Sequence, residues 1–489
     1  MTIGKEPEVT ARRSTVSLCL LLGALLGLSV GQTATGHADD AVDEDSDAND
    51  WPTYNRDRSG SRYNSAESTI GASNASGLKV KWRFPTAAPV SGTPVVADDA
   101  VYAGDMSGNF YALSRSGALL WSKQLAASIT ASATIAGGVV VVGDLAGNLY
   151  GLKRANGAIQ WQFKPDAHPL AAIFGSPVKI GKYVAVGISS NEENAAANPS
   201  YPCCSTRGSL VMVDPKDGAV IWQTFMVSNA QRAQGASGAS IWSTPSYDAA
   251  SKLIYVTTGN NFSQPTNELS DAIVAIDARN GAIVWKNQRT ANDEWTFHYP
   301  ISEEHPDFDF GDSAQVYKLP NGRKVVGAGQ KSGFYHVLDA ATGAFINQNQ
   351  IEVDGPLGGL FADTAVANGI VYANGINWPV PGVSPVFSGD LYAVSGDGSQ
   401  VLWHFPVPFG PVLGGVAVAN SVVYFTATYT QRLFALSAST GSVLAAIPIG
   451  VSASGPSVSR GQVYVGAGDA LGVGFGGPNS PGAIIALGL

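Results

Sequence analysis

Val101–Trp121 reads VYAGDMSGNFYALSRSGALLW. A β-branched and aromatic run, a glycine turn, and a second run closing on tryptophan describe two strands joined by a tight hairpin, with glycine supplying the positive φ of the turn. The pattern returns as VVVGDLAGNLYGLKRANGAIQW ending at Trp161, GSLVMVDPKDGAVIW at Trp222 and DAIVAIDARNGAIVW at Trp285. Weaker copies follow: GFYHVLDAATGAFIN to Asn347, GDLYAVSGDGSQVLW to Trp403, and RLFALSASTGSVLA. A large aromatic at one fixed place per unit suits packing between neighbouring sheets. The two ends complete an eighth unit. GLKVKWRF, with Trp82, is a final strand with no unit before it, and the terminal GAIIALGL is a unit lacking its final strand. Pairing them closes a ring and removes the exposed edges of an open array. The expectation is an all-β, eight-bladed β-propeller over residues 51–489, closed by its N- and C-terminal strands.

Spacing locates the extra chain. Trp82 to Trp121 and Trp121 to Trp161 are minimal blades of about 40 residues. The next four intervals are about half as long again, and the surplus falls in connections that gather on one face of a repeat array, often the binding face. Those connections hold GISSNEENAAANPSYPCCSTRGSL, GASGASIWSTP with TTGNNF, ANDEWTFHYPISEEHPDFDFGD with GQKSGFYHVLD, and NGINWPVPG. Glu192, Asn260 and Asp307 are hard oxygen donors suited to calcium. No His or Cys cluster has zinc spacing. Trp242 and the adjacent Cys203 and Cys204 could enclose something flat.

The N-terminus reads as an address. Arg12 and Arg13, an apolar run from Val16 to Val30 and the small residues before Asp39 form a secretory signal, assigned to residues 1–38; a retained anchor is the competing reading. ADDAVDEDSDAND follows, and residues 39–50 are expected to be a solvated acidic tether. No later segment reaches the ~20 apolar residues of a membrane helix. The net charge of −9 without a basic cluster argues against nucleic acid as a partner. The expected location is periplasmic or secreted. Export leaves Cys203 and Cys204 as the only cysteines, either as a ring disulfide or as two free thiols.

Together the repeats, the opening WPTYNRDRSGSRYN, and the set SSNEE, YPCCSTRGS, IWSTP, YVTTGNN, DFDFG and GQKSGFYHVLD resemble the pyrroloquinoline-quinone (PQQ) dehydrogenases, nearest their polyvinyl-alcohol dehydrogenase-like subgroup. The resemblance implies PQQ and Ca2+ as cofactors. It implies a Cys203–Cys204 ring disulfide on one face of the quinone and Trp242 on the other, with Lys331, Asn377, Trp378 and, less directly, Arg207 as further cofactor contacts. Glu192, Asn260, Asp307 and Asp309 correspond to metal ligands. Asp307 corresponds to the catalytic base that takes the alcohol's proton as hydride passes to the quinone. Electrons leave to an external acceptor such as cytochrome c, since no CxxCH haem motif is present.

Three features separate this chain from the alcohol dehydrogenases of that family. DEWT (Asp293–Thr296) stands where many of them read DEWD, leaving Asp293 as the alternative base. SGTP (Ser91–Pro94) replaces a glutamate-bearing ESTP. The cysteine pair lies one blade later, as in the polyvinyl-alcohol subgroup. The competing functions are a non-catalytic envelope scaffold on the same propeller and a PQQ-dependent sugar or aldehyde dehydrogenase.

Overall fold

The computed structural model describes residues 47–300, 302–355, 358–377, 388–407, 409–468 and 480–489. The signal assignment, most of the tether and Trp378 lie outside them. Eight blades of four antiparallel strands follow one another in chain order; the short strand Ala171–Ala172 adds a fifth to blade 3, and Tyr63–Asn64 adds a fifth, parallel, to blade 7. Blade 1 runs through Val95–Ala97, Ala100–Gly104, Asn109–Ser114 and Leu119–Gln124. Blades 2 to 7 repeat this plan, with innermost strands at Thr134–Ala136, Val178–Ile180, Ser246–Asp248, Gln315–Lys318, Ala365–Ala367 and Ala417–Ala419. In blade 8, Lys79–Thr86 pairs antiparallel with Gly482–Gly488, outside Gln462–Ala467 and Ser457–Ser459. The ring is therefore closed by the two ends of the chain, as the orphan strands required.

The repeat residues have two local duties. In blades 1 and 2 the aspartate of the Gly-Asp pair ties the turn between the second and third strands. Asp105 Oδ1 accepts the Ser107 and Asn109 N–H groups and Oδ2 accepts the Tyr111 hydroxyl; Asp144 does the same with Ala146, Asn148 and Tyr150. The tryptophan locks neighbouring blades. Trp121 Nε1 donates to the Arg154 carbonyl of blade 2, and a Cβ on Gly157 would lie 2.4 Å from the Trp121 ring. Trp82, Trp161, Trp222, Trp285 and Trp403 each make the same bond to the next blade, and each lies against that blade's turn glycine. Those glycines thus answer to sterics as well as to φ. Between the blades the core is apolar; one cluster joins Val95, Tyr102 and Phe110 of blade 1 to Ile135, Val140 and Tyr150 of blade 2.

WPTYNRDRSGSRYN (51–64) threads the hub. Trp51 exchanges backbone bonds with Val96 of blade 1, and the carbonyl of Pro52 accepts from Ile135 of blade 2. The Thr53 hydroxyl donates to Pro177 beside blade 3. The carbonyls of Arg58, Ser59, Ser61 and Arg62 accept from Tyr247, Val316, Val366 and Val418, one innermost strand each of blades 4 to 7. Asn64 Nδ2 donates to Val458 of blade 8. One short segment therefore touches every blade in turn. It begins earlier than expected: Asp50, assigned to the solvated tether, is fully buried, accepts the Asp98 N–H at 2.9 Å and pairs with Arg460 at 2.9 Å. Burial raises the Asp50 pKa, and the Asp98 N–H and the Arg460 guanidinium offset that cost only in part, so the docking of this end rests on the backbone pairing of Trp51 that follows it.

The surplus residues of blades 3 to 6 sit where the spacing put them. They form the turn between second and third strands in blades 3 and 4, and the connections leading into the innermost strands of blades 4, 5 and 6. Among the described residues no helix is long and apolar enough to cross a membrane.

Candidate active site

Asp307 and Asp309 lie on the connection from blade 4 into blade 5, and Lys331 on the turn after Lys324–Gly329. All three are buried. The Lys331 ammonium stands 3.1 Å from Asp307 Oδ1 and 2.6 Å from Asp309 Oδ1. It also lies 5.7 Å from the centroid of the Trp242 indole, a cation–π distance. The connection before Ser246–Asp248 brings Trp242 in, and two glycines make room for it. A Cβ on Gly311 would lie 2.7 Å from the indole; one on Gly259 would lie 3.1 Å from Asp309 Oδ2 and 3.3 Å from Trp242 Nε1. That Nε1 is buried and has no hydrogen-bond partner among the described residues.

More acids surround this group than its one lysine can balance. Burial pulls the Lys331 pKa down, but Asp307, Asp309 and Glu193 overrule it and hold it above the ordinary value. Burial raises Asp307 well above the carboxylate range despite Lys331, with Asp309 and Glu193 adding to the effect. Burial also lifts Glu193, to about 7, against Lys331 and with help from Asp309 and Asp293. Asp271 is raised by burial, Asp293 and Asp309; neither of its oxygens has a hydrogen-bond partner among the described residues. The neighbouring Ser270 hydroxyl is committed to the Asn267 carbonyl. Crowded acids in a low-dielectric space are relieved either by holding protons, the direction in which burial pushes Asp271, Asp293, Asp307 and Glu193, or by a further positive charge. Among the described residues no three His, Cys, Asp or Glu side chains form a ready-made metal cage. The donors are present in kind, and Lys331 holds two of them.

Asp293 has a separate task. Its Oδ2 accepts the Phe308 N–H at 2.7 Å and its Oδ1 the Asp307 N–H at 3.4 Å, bracing the turn in which Asp307 takes a φ of +57°. Asn260 Nδ2 donates to the carbonyls of Asn261 and Trp295, tying the blade 4 turn to the Asp293 segment.

Cys203 and Cys204 are disulfide-bonded, and the peptide between them is cis. Glu192, fully buried at the start of the short helix Glu192–Ala195, does not face the acidic group through any bond it makes. Its carboxylate accepts from the Tyr201 hydroxyl, the Ser205 and Thr206 N–H groups and the Thr206 hydroxyl. Arg207 stacks 3.7 Å from the Phe225 ring centroid and donates to Val227 and Asn229. With His168 and Arg232 it lines a cavity of about 130 Å3 at the outer strand of blade 3, and none of these contacts joins the acidic group. Asn377 ends the strand Ile370–Asn377 of blade 6. Its neighbour Ile376 bonds to Gly359, which lies against the Lys331 backbone, and its own Nδ2 donates to Asp390.

The structure thus gathers Trp242, Asp307, Asp309 and Lys331, with Asn260 and Asn377 on adjoining turns. Sequence reasoning missed Glu193 and Asp271. Asp271 opens its repeat copy where three others carry Gly208, Gly333 and Gly389, and it takes a φ of +48°; Gln431 stands at the same place of blade 7 at +57°, so the carboxylate, not the backbone, is what sets Asp271 apart.

The PQQ_2 family model, described as outer membrane protein assembly factor BamB, matches residues 66–293 and 388–476. The chain is 28% identical over 453 residues to a polyvinylalcohol dehydrogenase of Pseudomonas sp., covering 81% of this chain and 70% of that protein. It is 26% identical to the dehydrogenase subunit of an alcohol dehydrogenase (quinone) from Gluconacetobacter polyoxogenes, covering 70% of this chain and 52% of the relative. The crystal structure of quinohemoprotein alcohol dehydrogenase from Comamonas testosteroni superposes with a TM-score of 0.76 at 21% identity, over 92% of this chain and 81% of that one.

Proposed function

The chain belongs to the PQQ_2 family, and we propose that within it this protein is a quinone-dependent alcohol dehydrogenase of the exported compartment. The observation that carries the reading is the buried excess of acid around Lys331 beside an indole with a free N–H. A scaffold gains nothing from burying Asp271, Asp293, Asp307 and Asp309 together beside the half-buried Glu193, because each buried acid costs desolvation energy. A site that receives a divalent ion and a polar planar ring recovers that cost on binding. The named relatives, a polyvinylalcohol dehydrogenase and a quinone alcohol dehydrogenase subunit, point the same way.

In this reading Trp242 would cover one face of the ring and the Cys203–Cys204 disulfide the other. Lys331 would face its oxygens. Glu193, Asp307 and Asp309, with Asn260, would supply the oxygen donors of a calcium ion. When bound, such a quinone accepts hydride from an alcohol carbon, and the ion acts as a Lewis acid. The chain's own contribution is the proton. Asp307, buried and with a raised pKa, takes it from the substrate hydroxyl, and the Lys331 ammonium stabilises the carboxylate before transfer. Asp293 positions Asp307 through the backbone and is not the base. A separate acceptor such as cytochrome c takes the electrons.

The test is reconstitution. The mature protein supplied with PQQ and Ca2+ should reduce an artificial dye with secondary alcohols or polyvinyl alcohol as donor. Activity confined to sugars or aldehydes would move the substrate class. Absence of both quinone binding and activity would return the protein to the scaffold role named in its family description.

A further inference from the structure

The family resemblance puts Glu192 among the metal ligands; its surroundings give it another occupation. Ser205 and Thr206 immediately follow the disulfide, and Tyr201 precedes it by two residues. Glu192 Oε1 accepts the Tyr201 hydroxyl at 2.7 Å and the Ser205 N–H at 2.9 Å; Oε2 accepts the Thr206 N–H at 2.7 Å and the Thr206 hydroxyl at 2.5 Å. The Ser205 hydroxyl adds a longer bond at 3.4 Å. An ionised carboxylate offers about four acceptor sites. Those of Glu192 are filled by the cysteine loop.

His168 extends the clamp. Its Nδ1 accepts the Leu170 N–H, so the ring proton sits on Nε2, which lies 3.1 Å from the Ser205 hydroxyl and 3.6 Å from Glu192 Oε1. Both flanks of the cysteine pair are therefore held by one buried carboxylate, and that carboxylate is backed by an imidazole from the connection between blades 2 and 3.

We propose that Glu192 is a positioning residue that seats the Cys203–Cys204 ring, a role that stands independently of the cation reading above.

The experiment uses the mature full chain without quinone and two readouts: the rate of disulfide reduction by dithiothreitol, followed by thiol titration, and Tb3+ luminescence for the cation. Glu192→Gln, which turns an amide N–H toward backbone donors, should accelerate reduction by about tenfold, the scale of one lost hydrogen bond to a charged group, with Tb3+ luminescence as in the wild type. If Glu192→Gln fails to fold, Thr206→Val removes one donor to the same carboxylate and should move the reduction rate in the same direction. Loss of Tb3+ binding in Glu192→Gln with an unchanged reduction rate would overturn the assignment. Failure of the wild-type chain to bind Tb3+ would overturn the cation reading above, while the reduction rates would still decide the role of Glu192.

Discussion

Lys331 Nζ stands 3.1 Å from one carboxylate oxygen of Asp307 and 3.2 Å from the other. A base held this way keeps its geometry when it is made neutral, because asparagine tolerates the positive φ of +57° at this position. Asp307→Asn should therefore fold and bind cofactor while losing about 10²–10⁴-fold in kcat, the usual contribution of a general base. Asp293→Asn keeps an acceptor for the Phe308 N–H and should cost activity less. Steady-state rates of the two variants, with melting temperatures as control, check this; an inactive Asp293→Asn beside a fully active Asp307→Asn would exchange their roles.

Gly157 and Trp121 form the smallest unit of the ring's cohesion. Gly157→Ala adds a Cβ 2.4 Å from the indole at a φ of +71°, and should cost about 2–3 kcal/mol by overpacking. Gly137→Ala has the same backbone handicap, at φ +60°, but nothing within 4 Å; it should cost only about 1–2 kcal/mol. Urea denaturation of both, with Trp121→Ala/Gly157→Ala recovering part of the loss, separates sterics from φ.

Arg62 is fully buried in the hub segment and donates to the carbonyls of Tyr54, Gly415, Val416 and Pro456. Arg62→Met leaves those acceptors unpaired and should lower stability by about 3 kcal/mol or more. The same denaturation curve reads the loss.

These contacts show what was legible in the sequence and what was not. Trp82 and the truncated final unit announced closure, because a strand without a sheet and a sheet without a strand admit one pairing. Trp242, Asp307, Asp309 and Lys331 stood in the surplus loops and do converge. The clamp made by Glu192 was not legible: Glu192 and Glu193 are identical neighbours, and only the fold decides which meets the Tyr201, Ser205 and Thr206 donors. The hub route of residues 51–64 was equally hidden, since it meets most of the innermost strands through backbone carbonyls, which leave no periodic side-chain pattern.

Glu352 gives the pH prediction. Burial, opposed by the Val353 N–H and reinforced by Asp390, raises its pKa from 4.5 to about 7. The folded state thus keeps a proton that the unfolded chain releases. The associated stability is present below pH 4.5 and is lost as pH rises through 7. Wild type should lose up to roughly 3 kcal/mol across this window from Glu352, and Glu352→Gln should flatten that part of the profile. Melting temperatures of both proteins at pH 5 and pH 8 supply the comparison.

The central claim is that a planar quinone binds between Trp242 and the cysteine ring beside a cation held by the acids around Lys331. Titration of PQQ into the mature protein, followed by tryptophan fluorescence with and without Ca2+, tests it most directly. The account predicts saturable quenching at one quinone per chain that requires Ca2+ and is abolished in Trp242→Ala. Unsaturable quenching, or saturable quenching that persists unchanged in Trp242→Ala and without Ca2+, would contradict it.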